Sequence, residues 1–215
     1  MEAAGPMDRI LQGGVVAIMR AKSPDQLLDA AKAVLKGGVE AIEVTMTTPG
    51  ALDVIKAATS LFGDQVLFGV GSVLDPETAR AAMLACAQFV VCPTFKRETV
   101  EVCRRYSVPV VPGAYTPTEI LDAWEAGADA VKVFPANAGG PGYLKAIKGP
   151  LPQVRLSAVG GVNVENAAAF IKAGAAFLGV GGELVNQKLL DSGSFDAITE
   201  RARAFRHQVE EGRSE

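Results

Sequence analysis

One lysine of this chain, Lys132, stands inside an apolar segment, Ala128 to Pro135, whose β-branched residues are typical of a buried strand. Burial disfavours a charged ammonium group, and the neutral amine is the nucleophile that forms a Schiff base with a ketone. The alternative is a structural lysine that extends its ammonium to solvent or pairs with a carboxylate. Taken alone, Lys132 leaves both interpretations open.

A second isolated charge, Glu43, lies in the apolar segment Ala41-Ile42-Glu43-Val44. Two buried charges of opposite sign cost less free energy when they face each other, so Glu43 is a candidate acid/base partner of Lys132. A purely structural ion pair is the alternative. Arg20 follows another apolar segment and is a candidate for binding a substrate carboxylate, with an external salt bridge as its alternative.

The composition argues against several classes of function. About half of the 215 residues are hydrophobic (49%), which favours a single domain over residues 1–215. The net charge of −3 without a basic stripe predicts no nucleic-acid binding. No apolar run approaches the roughly 20 residues of a membrane span, and Met1 to Met7 has no basic leader, so we expect a cytoplasmic protein that does not bind membranes.

The cysteines and the histidine argue against a metal or redox site. Cys86, Cys92 and Cys103 are odd in number and lack a Cys-x-x-Cys spacing, and the one histidine, His207, lies in a polar C-terminal segment. The sequence therefore predicts no disulfide, no zinc site and no histidine-dependent triad. Cys92 and Cys103 are assigned to packing.

Short apolar segments alternate with helical patterns along the chain. Eight such segments predict an α/β fold, a (β/α)8 TIM barrel with an extra N-terminal helix (Met7 to Gln12) and a C-terminal helix (Phe195 to Glu211) before a frayed tail, Gly212 to Glu215. A doubly wound open sheet is the alternative, although no Gly-x-Gly-x-x-Gly follows the first strand. The predicted strands are Val15 to Met19, Ala41 to Thr45, Val66 to Val70, Phe89 to Cys92, Val108 to Val111, Ala130 to Phe134, Val154 to Ala158 and Ala176 to Val180.

Helix caps support this division. Ser23, Asp75, Thr116 and Asn163 each precede a predicted helix as N-cap residues, and Gly37-Gly38, Gly127 and Gly174 follow helices as C-terminal glycines.

The C-terminal ends of barrel strands carry the chemistry in this architecture, so the residues at these ends are candidate site residues. The glycine-rich turns after the last two strands leave backbone N–H groups free to bind an anion such as phosphate. The candidates are Arg20, Glu43, Thr45, Thr47, Ser72, Pro93, Lys132, Phe134, Gly160, Gly161, Gly181 and Gly182.

With these residues assembled, the chain resembles the bacterial 2-keto-3-deoxy-6-phosphogluconate aldolases and 4-hydroxy-2-oxoglutarate aldolases. The resemblance covers nearly the whole chain. Its marks are Gly37-Gly38-Val39-Glu40-Ala41-Ile42-Glu43-Val44-Thr45, Gly69-Val70-Gly71-Ser72-Val73, Val111-Pro112-Gly113, Val131-Lys132-Val133-Phe134-Pro135-Ala136 and Val159-Gly160-Gly161-Val162.

The resemblance implies a class I aldolase that cleaves a 2-keto-4-hydroxy acid to pyruvate and an aldehyde. It implies that Lys132 forms the Schiff base, that Glu43 is the general acid/base, that Ser72 lies near the pyruvate moiety, and that Pro93 and Phe134 line the pocket. It further implies a homotrimer that needs no metal or cofactor.

Three positions depart from the family pattern. Thr47 stands where some members have a carboxylate-binding arginine, and Arg20 is the candidate to replace it. Val159 replaces a common threonine, and Gly182, followed by Glu183, replaces a common serine, which weakens a phosphate site. We therefore expect both 2-keto-3-deoxy-6-phosphogluconate and 4-hydroxy-2-oxoglutarate as substrates, without ranking them.

Two other classes of function are kept as alternatives. One is a phosphate-binding barrel isomerase or epimerase that uses Glu43 as a base, and the other is a non-catalytic barrel that serves as an assembly module.

Overall fold

Nine strand segments and ten α-helices alternate along residues 4–214, the part of the chain that the computed structural model describes. Two short 3-10 turns, 63–65 and 136–138, follow α3 and β7. In chain order the elements are α1 Pro6–Gly13, β1 Val15–Met19, α2 Pro24–Lys36, β2 Ala41–Thr45, α3 Ala51–Phe62, β3 Leu67–Gly71, α4 Pro76–Leu84, β4 Val90–Val91, α5 Arg97–Arg105, β5 Val110–Val111, β6 Gly113–Ala114, α6 Pro117–Glu125, β7 Val131–Val133, α7 Gly140–Lys148, β8 Leu156–Val159, α8 Val164–Lys172, β9 Ala175–Val180, α9 Gln187–Asp191 and α10 Phe195–Arg213.

The strands form a nearly closed parallel barrel, which confirms the predicted fold class. Their order is β5-β4-β3-β2-β1-β9-β8-β7-β6, and the two outermost strands are consecutive in the chain. Only Pro112 separates β5 from β6, so the sheet curves until its two edges meet. The doubly wound open sheet is therefore wrong.

The fifth predicted strand is divided in two. Val108 and Pro109 lie outside the sheet, and the strand residues are Val110–Val111 and Gly113–Ala114. Pro112 has no N–H for a strand ladder, which accounts for the interruption at this point. Its carbonyl still accepts a hydrogen bond from the Lys132 backbone N–H at 2.8 Å, so the split strand remains attached to β7.

Local capping signals predict the helix starts well. The side chains of Ser23, Asp75, Thr116 and Asn163 accept hydrogen bonds from backbone N–H groups of the first turns of α2, α4, α6 and α8. These contacts join residues three apart, so they depend on the local sequence alone.

Helix α1 closes the N-terminal end of the barrel. Met7 and Ile10 pack in one buried cluster with inward-facing strand residues, including Phe89 and Phe177. A separate, larger core lies between the sheet and the outer helices. Because bulky side chains fill the lower end of the barrel, the open space remains at the C-terminal ends of the strands.

Helix α10 extends further than the sequence predicts. Gly212 and Arg213 are helical rather than frayed. Gly212 is buried against α8, where a Cβ would lie 2.6 Å from Ile171 Cβ, and the Arg213 guanidinium donates to the Gln12 carbonyl at 2.8 Å. Tertiary contacts therefore order this end, and the prediction of a frayed tail is wrong as far as residue 214.

Residues 1–3 and 215 lie outside the described residues. What the sequence predicts for the start of Met1 to Met7 and for a frayed end at Glu215 therefore stays a prediction. Between residues 4 and 214, no helix has both the length and the apolar character required to cross a bilayer.

Candidate active site

Lys132 lies at the centre of β7 and faces the barrel interior. Its neighbours in register are Gly113 on β6 and Ser157 on β8. Only 6% of its surface is exposed, and Nζ lies 4.9 Å from the centroid of the Phe134 ring. A cation at Nζ therefore meets the electron-rich face of an aromatic ring.

Glu43 lies on β2, between Ile18 of β1 and Gly69 of β3, and 3% of its surface is exposed. Burial raises the pKa of this carboxyl above its ordinary value, while the positive charges of Lys132 and Arg20 act in the opposite direction. Because the net direction is upward, the carboxyl holds its proton at a higher pH than an exposed glutamate does.

Glu43 and Lys132 share one cavity without forming a direct ion pair. The ion pairs within 4.0 Å between described residues do not include these two side chains. A structural ion pair would hold the lysine in its charged form, so the geometry favours the catalytic interpretation of both residues.

The cavity at the mouth of the barrel has a volume of about 350 Å³. It brings together every predicted site residue except Thr45 and Thr47, whose hydroxyl groups lie 2.7 Å apart and hydrogen-bond to each other. Its lining is Ile18, Arg20, Glu43, Ser72, Pro93, Lys132, Phe134, Val159, Gly160, Gly161, Val162, Gly179, Gly181, Gly182 and Glu183.

Five of the lining residues were not among the predicted site residues: Ile18, Val159, Val162, Gly179 and Glu183. Ile18 and Gly179 lie within strands and carry no polar side-chain group. Only the structure, which shows that they face the barrel interior, identifies them as lining residues. Val159 and Glu183 are named in the sequence analysis only as departures from the family pattern, and the structure places both on the cavity wall.

A larger cavity of about 590 Å³ lies elsewhere, around Arg104, Trp124 and Arg155 near the starts of β5 and β7. It contains neither Lys132 nor Glu43, so size alone does not identify the site. Among residues 4–214, no three histidine, cysteine, aspartate or glutamate side chains gather as metal ligands.

Arg20 and Glu183 place opposite charges on the cavity wall. Arg20 is exposed, makes no hydrogen bond or ion pair to another described residue, and lies beside Gly181, whose Cβ would be 4.0 Å from Arg20 Nη1. The Glu183 carbonyl accepts a hydrogen bond from Arg201 at 2.9 Å, which fixes this turn. The free guanidinium is thus available to an anionic ligand.

Two glycine-rich turns border the same side. Gly160 and Gly161 have φ values of 94° and 69°, which glycine adopts without steric cost, and they lead into α8. The N–H groups of Gly161 and Gly182 donate to no other group in residues 4–214. These N–H groups can therefore bind an anion that enters the cavity.

Cys92 adjoins the site as an uncharged thiol. Burial, and secondarily the neighbouring Cys103, raises its pKa to about 12, so it stays protonated at neutral pH. This agrees with its assignment to packing.

The Glu43 carboxyl occupies space that a bare Gly71 leaves open on β3. A Cβ at Gly71 would overlap Glu43 Oε1 and Cδ and would lie 2.6 Å from Cγ. The next residue, Ser72, has a left-handed backbone with φ of 60°, which is uncommon for a non-glycine residue. Gly71 therefore determines where the carboxyl can lie.

A double-mutant cycle tests this fit. We expect Gly71→Ala to destabilise the protein by about 1–3 kcal/mol through overpacking, and to cost much less when Glu43 is also replaced by alanine. Urea unfolding of the single and double variants measures the loss of unfolding free energy in both backgrounds. Gly69→Ala on the same strand is the matched control, because its Cβ would meet the Phe89 ring at 2.5 Å, so its cost should not depend on Glu43. Equal costs of Gly71→Ala in both backgrounds would contradict the assignment.

The pH dependence of stability tests the environment of Glu43. Because its folded-state pKa is raised above 4.5, its contribution is fully present below pH 4.5 and is lost as the pH rises through the folded-state pKa. The melting temperature of Glu43→Gln should therefore increase relative to the unchanged protein as the pH rises from 4.5 toward neutrality.

Glu119→Ala is a control of opposite sign. Hydrogen bonds from the backbone N–H groups of Thr116 and Tyr115 lower the pKa of Glu119, so its contribution is present above pH 4.5 and is lost as the pH falls. A pH trend of the same sign in both variants would show that desolvation does not dominate at Glu43.

Comparison with known proteins agrees with this site. The family model for KDPG and KHG aldolases matches residues 7–201. The 2-dehydro-3-deoxy-6-phosphogalactonate aldolase of Escherichia coli K12 is 40% identical over 171 residues, which cover 79% of this chain and 83% of that protein. The KHG/KDPG aldolase of the same strain is 32% identical over 192 residues, which cover 89% and 90%.

A solved structure shows the same fold with a ligand. The crystal structure of KDPG aldolase from Legionella pneumophila, with pyruvate captured as a covalent carbinolamine intermediate, is 29% identical and superposes with a TM-score of 0.87. The match covers 94% of this chain and 98% of that one. The resemblance of the sequence motifs is confirmed: this chain belongs to the KDPG and KHG aldolase family, whose members are aldehyde-lyases.

Proposed function

We propose that this protein cleaves 2-keto-4-hydroxy acids to pyruvate and an aldehyde through a Schiff base on Lys132. The observation that carries the proposal is the presence of a buried amine and a buried carboxyl in one cavity without a direct ion pair between them. Because no carboxylate holds the amine, it is free to reach a carbonyl carbon in the cavity.

The first half of the reaction forms the imine. The Lys132 amine attacks the C2 ketone, and Glu43 passes a proton to the developing oxyanion to give a carbinolamine. The Glu43 carboxylate takes a proton back from the carbinolamine nitrogen and then gives it to the leaving hydroxyl, so that water departs, an iminium remains and Glu43 is ionised. The Phe134 ring, 4.9 Å from Nζ, stabilises this cation through its π face.

The second half breaks the carbon bond. Glu43, now ionised, removes the proton of the C4 hydroxyl, and the electrons of the C3–C4 bond move into the iminium. The aldehyde leaves, and an enamine of pyruvate remains on Lys132. Protonation at C3 and hydrolysis of the imine release pyruvate and restore the free amine. A carboxyl with a raised pKa suits this role because it must both give and accept a proton near neutral pH.

Ser72, Pro93 and Phe134 surround the pyruvate portion in this proposal. The hydroxyl of Ser72 donates to the substrate carboxylate at C1, and Pro93 and Phe134 exclude water from the imine. The sequence suggests Arg20 as the replacement for a carboxylate-binding arginine, but Arg20 lies beside Gly181 at the glycine-rich turns. We therefore assign Arg20, with the N–H groups of Gly161 and Gly182, to the anion at the far end of the substrate, which is a phosphate or a second carboxylate. Thr45 and Thr47 support the end of β2 through their mutual hydrogen bond.

The anionic group at the far end of the substrate defines the substrate class. Relatives of the chain are named for 2-dehydro-3-deoxy-6-phosphogalactonate and for KHG and KDPG, so we propose 2-keto-3-deoxy-6-phospho sugar acids and 4-hydroxy-2-oxoglutarate as substrates. The products besides pyruvate are glyceraldehyde 3-phosphate and glyoxylate, respectively. Glu183 beside the N–H groups reduces the preference for a doubly charged phosphate.

Reductive trapping tests the mechanism. Borohydride added with pyruvate should fix an N-carboxyethyl group on Lys132, which peptide mass analysis locates. Lys132→Arg should abolish trapping and cleavage, and Glu43→Gln should lower the cleavage rate by about 10²–10⁴-fold because a general acid/base is lost. Lys148→Ala is the matched control, since Lys148 is a partly buried lysine that binds the carbonyls of Pro152 and Val154 outside the cavity.

An adduct on another lysine, or none, would contradict the mechanism. Proton exchange that survives in Lys132→Ala without an imine would instead support an isomerase or epimerase with Glu43 as base. Cleavage rates with the two 6-phospho sugar acid epimers and with 4-hydroxy-2-oxoglutarate, measured on the same preparation, rank the substrates.

We also propose a homotrimer in the cytoplasm, from the family resemblance. Leu61, Leu74 and Leu84 each expose more than half of their surface, and such side chains are available for contacts between subunits. Light scattering after size exclusion should give three times the chain mass of 22.3 kDa. A mass of one chain at micromolar concentration would contradict the trimer.

A further inference from the structure

A small enclosed space lies in the barrel directly beneath the active-site cavity. Its volume is about 10 Å³, at the lower limit of the roughly 10–15 Å³ that one water molecule requires. Glu43, Val159 and Gly179 line both spaces. The other lining residues of the lower space are Ile10, Val16, Phe89, Val91, Val111, Ser157 and Phe177.

Ser157 places a hydroxyl in this apolar surrounding. It lies on β8, paired in register with Lys132 on one side and Phe177 on the other, and 1% of its surface is exposed. Its Oγ has no hydrogen-bond partner within residues 4–214. A buried hydroxyl without a partner costs free energy, and most such groups in folded proteins are satisfied by protein or by ordered water.

The Glu43 carboxyl borders the same space, although its oxygens, unlike Ser157 Oγ, are not among the fully buried atoms without a partner in residues 4–214. None of the side-chain hydrogen bonds in the described part of the chain involves it, although the group is 3% exposed. Of the side chains around the enclosed space, only Glu43 and Ser157 are polar. A single water molecule in a space of this size can accept a hydrogen bond from the Ser157 hydroxyl and donate one to the Glu43 carboxyl.

We propose that one water molecule in this space bridges the Ser157 hydroxyl and the Glu43 carboxyl, and that Ser157 thereby acts as a positioning residue for the proton transfers of Glu43. The proposal rests on the proposed aldolase function of the cavity above. The bridge holds the carboxyl from the barrel interior and leaves the cavity side of the group facing the substrate.

The pH dependence of catalysis follows from the other groups that face Glu43. These are Lys132 from β7 and Arg20 after β1, which favour the carboxylate, and Cys92 after β4, whose thiol stays neutral. Hydrogen-bond donation through the water also favours the carboxylate. Removal of the Ser157 hydroxyl should therefore raise the pKa of Glu43 further.

Deuterium exchange of the pyruvate methyl group, followed by proton NMR, reports this effect because it requires only imine and enamine formation. We expect Ser157→Ala to move the acid limb of the rate profile upward by about one pH unit, with little change in the KM for pyruvate. Ser157→Val, which also fills the space, should give the same shift. In a Glu43→Gln background, Ser157→Ala should leave the profile unchanged.

Thr99→Val is the matched control, because Thr99 on α5 also has a buried hydroxyl without a partner but lies outside the barrel interior. It should leave the pH profile in place. Stability gives a second readout: loss of a water-bridged hydroxyl lowers the melting temperature, whereas replacement of a truly unpartnered hydroxyl by alanine leaves it unchanged or raises it.

An unshifted acid limb in both Ser157 variants, or a raised melting temperature of Ser157→Ala, overturns the bridge. Exchange by the unchanged protein, with trapping at Lys132, shows in the same experiment that the proposed function holds. If the unchanged protein neither exchanges nor traps pyruvate, it is the proposed function that fails, and a Ser157→Ala melting temperature below that of the unchanged protein still supports the bridge.

Discussion

Desolvation of Glu43 dominates the electrostatics of the barrel mouth, and the other site residues are arranged around it. Lys132 and Arg20 offset part of the cost of ionising the carboxyl, but neither removes it. No direct ion pair joins Glu43 and Lys132, so neither side chain is held by the other and both face the cavity. A buried carboxyl and a buried amine in one cavity are thus a cost to stability that is consistent with a catalytic use.

The barrel accommodates these groups by the distribution of side-chain volume along its axis. Ile10, Phe89 and Phe177 fill the N-terminal end, where they exclude water from the core. Toward the C-terminal end, Gly71 and Gly179 leave room for the Glu43 carboxyl and for the cavity. Because parallel strands all end on the same side, the space opens where the strand ends and their loops can supply functional groups.

The two ends of the cavity have different tasks. The reaction proposed for Lys132 requires only a ketone, so it does not depend on the group at the far end of the substrate. That group instead meets Arg20 and two free backbone N–H groups, with the carboxylate of Glu183 nearby. In the proposed function, the balance of these charges, rather than Lys132 and Glu43, selects the anion that the cavity accepts.

The sequence by itself determined the strands, the capped helices, the fold class and the two catalytic candidates. These follow from local patterns: a cap joins residues three apart, and a charge such as Lys132 in an apolar strand is visible without tertiary information. The same criterion, applied to the strand around Ser157, would have marked that hydroxyl as unusual.

Only the tertiary structure decided the division of the fifth strand at Pro112, the order of α10 at Gly212, the exclusion of Thr45 from the cavity and the fit of Glu43 against Gly71. Each depends on strand register or on contact between elements far apart in the chain. Sequence patterns report the partners of a residue along its own element, whereas closure of the barrel sets its partners across elements.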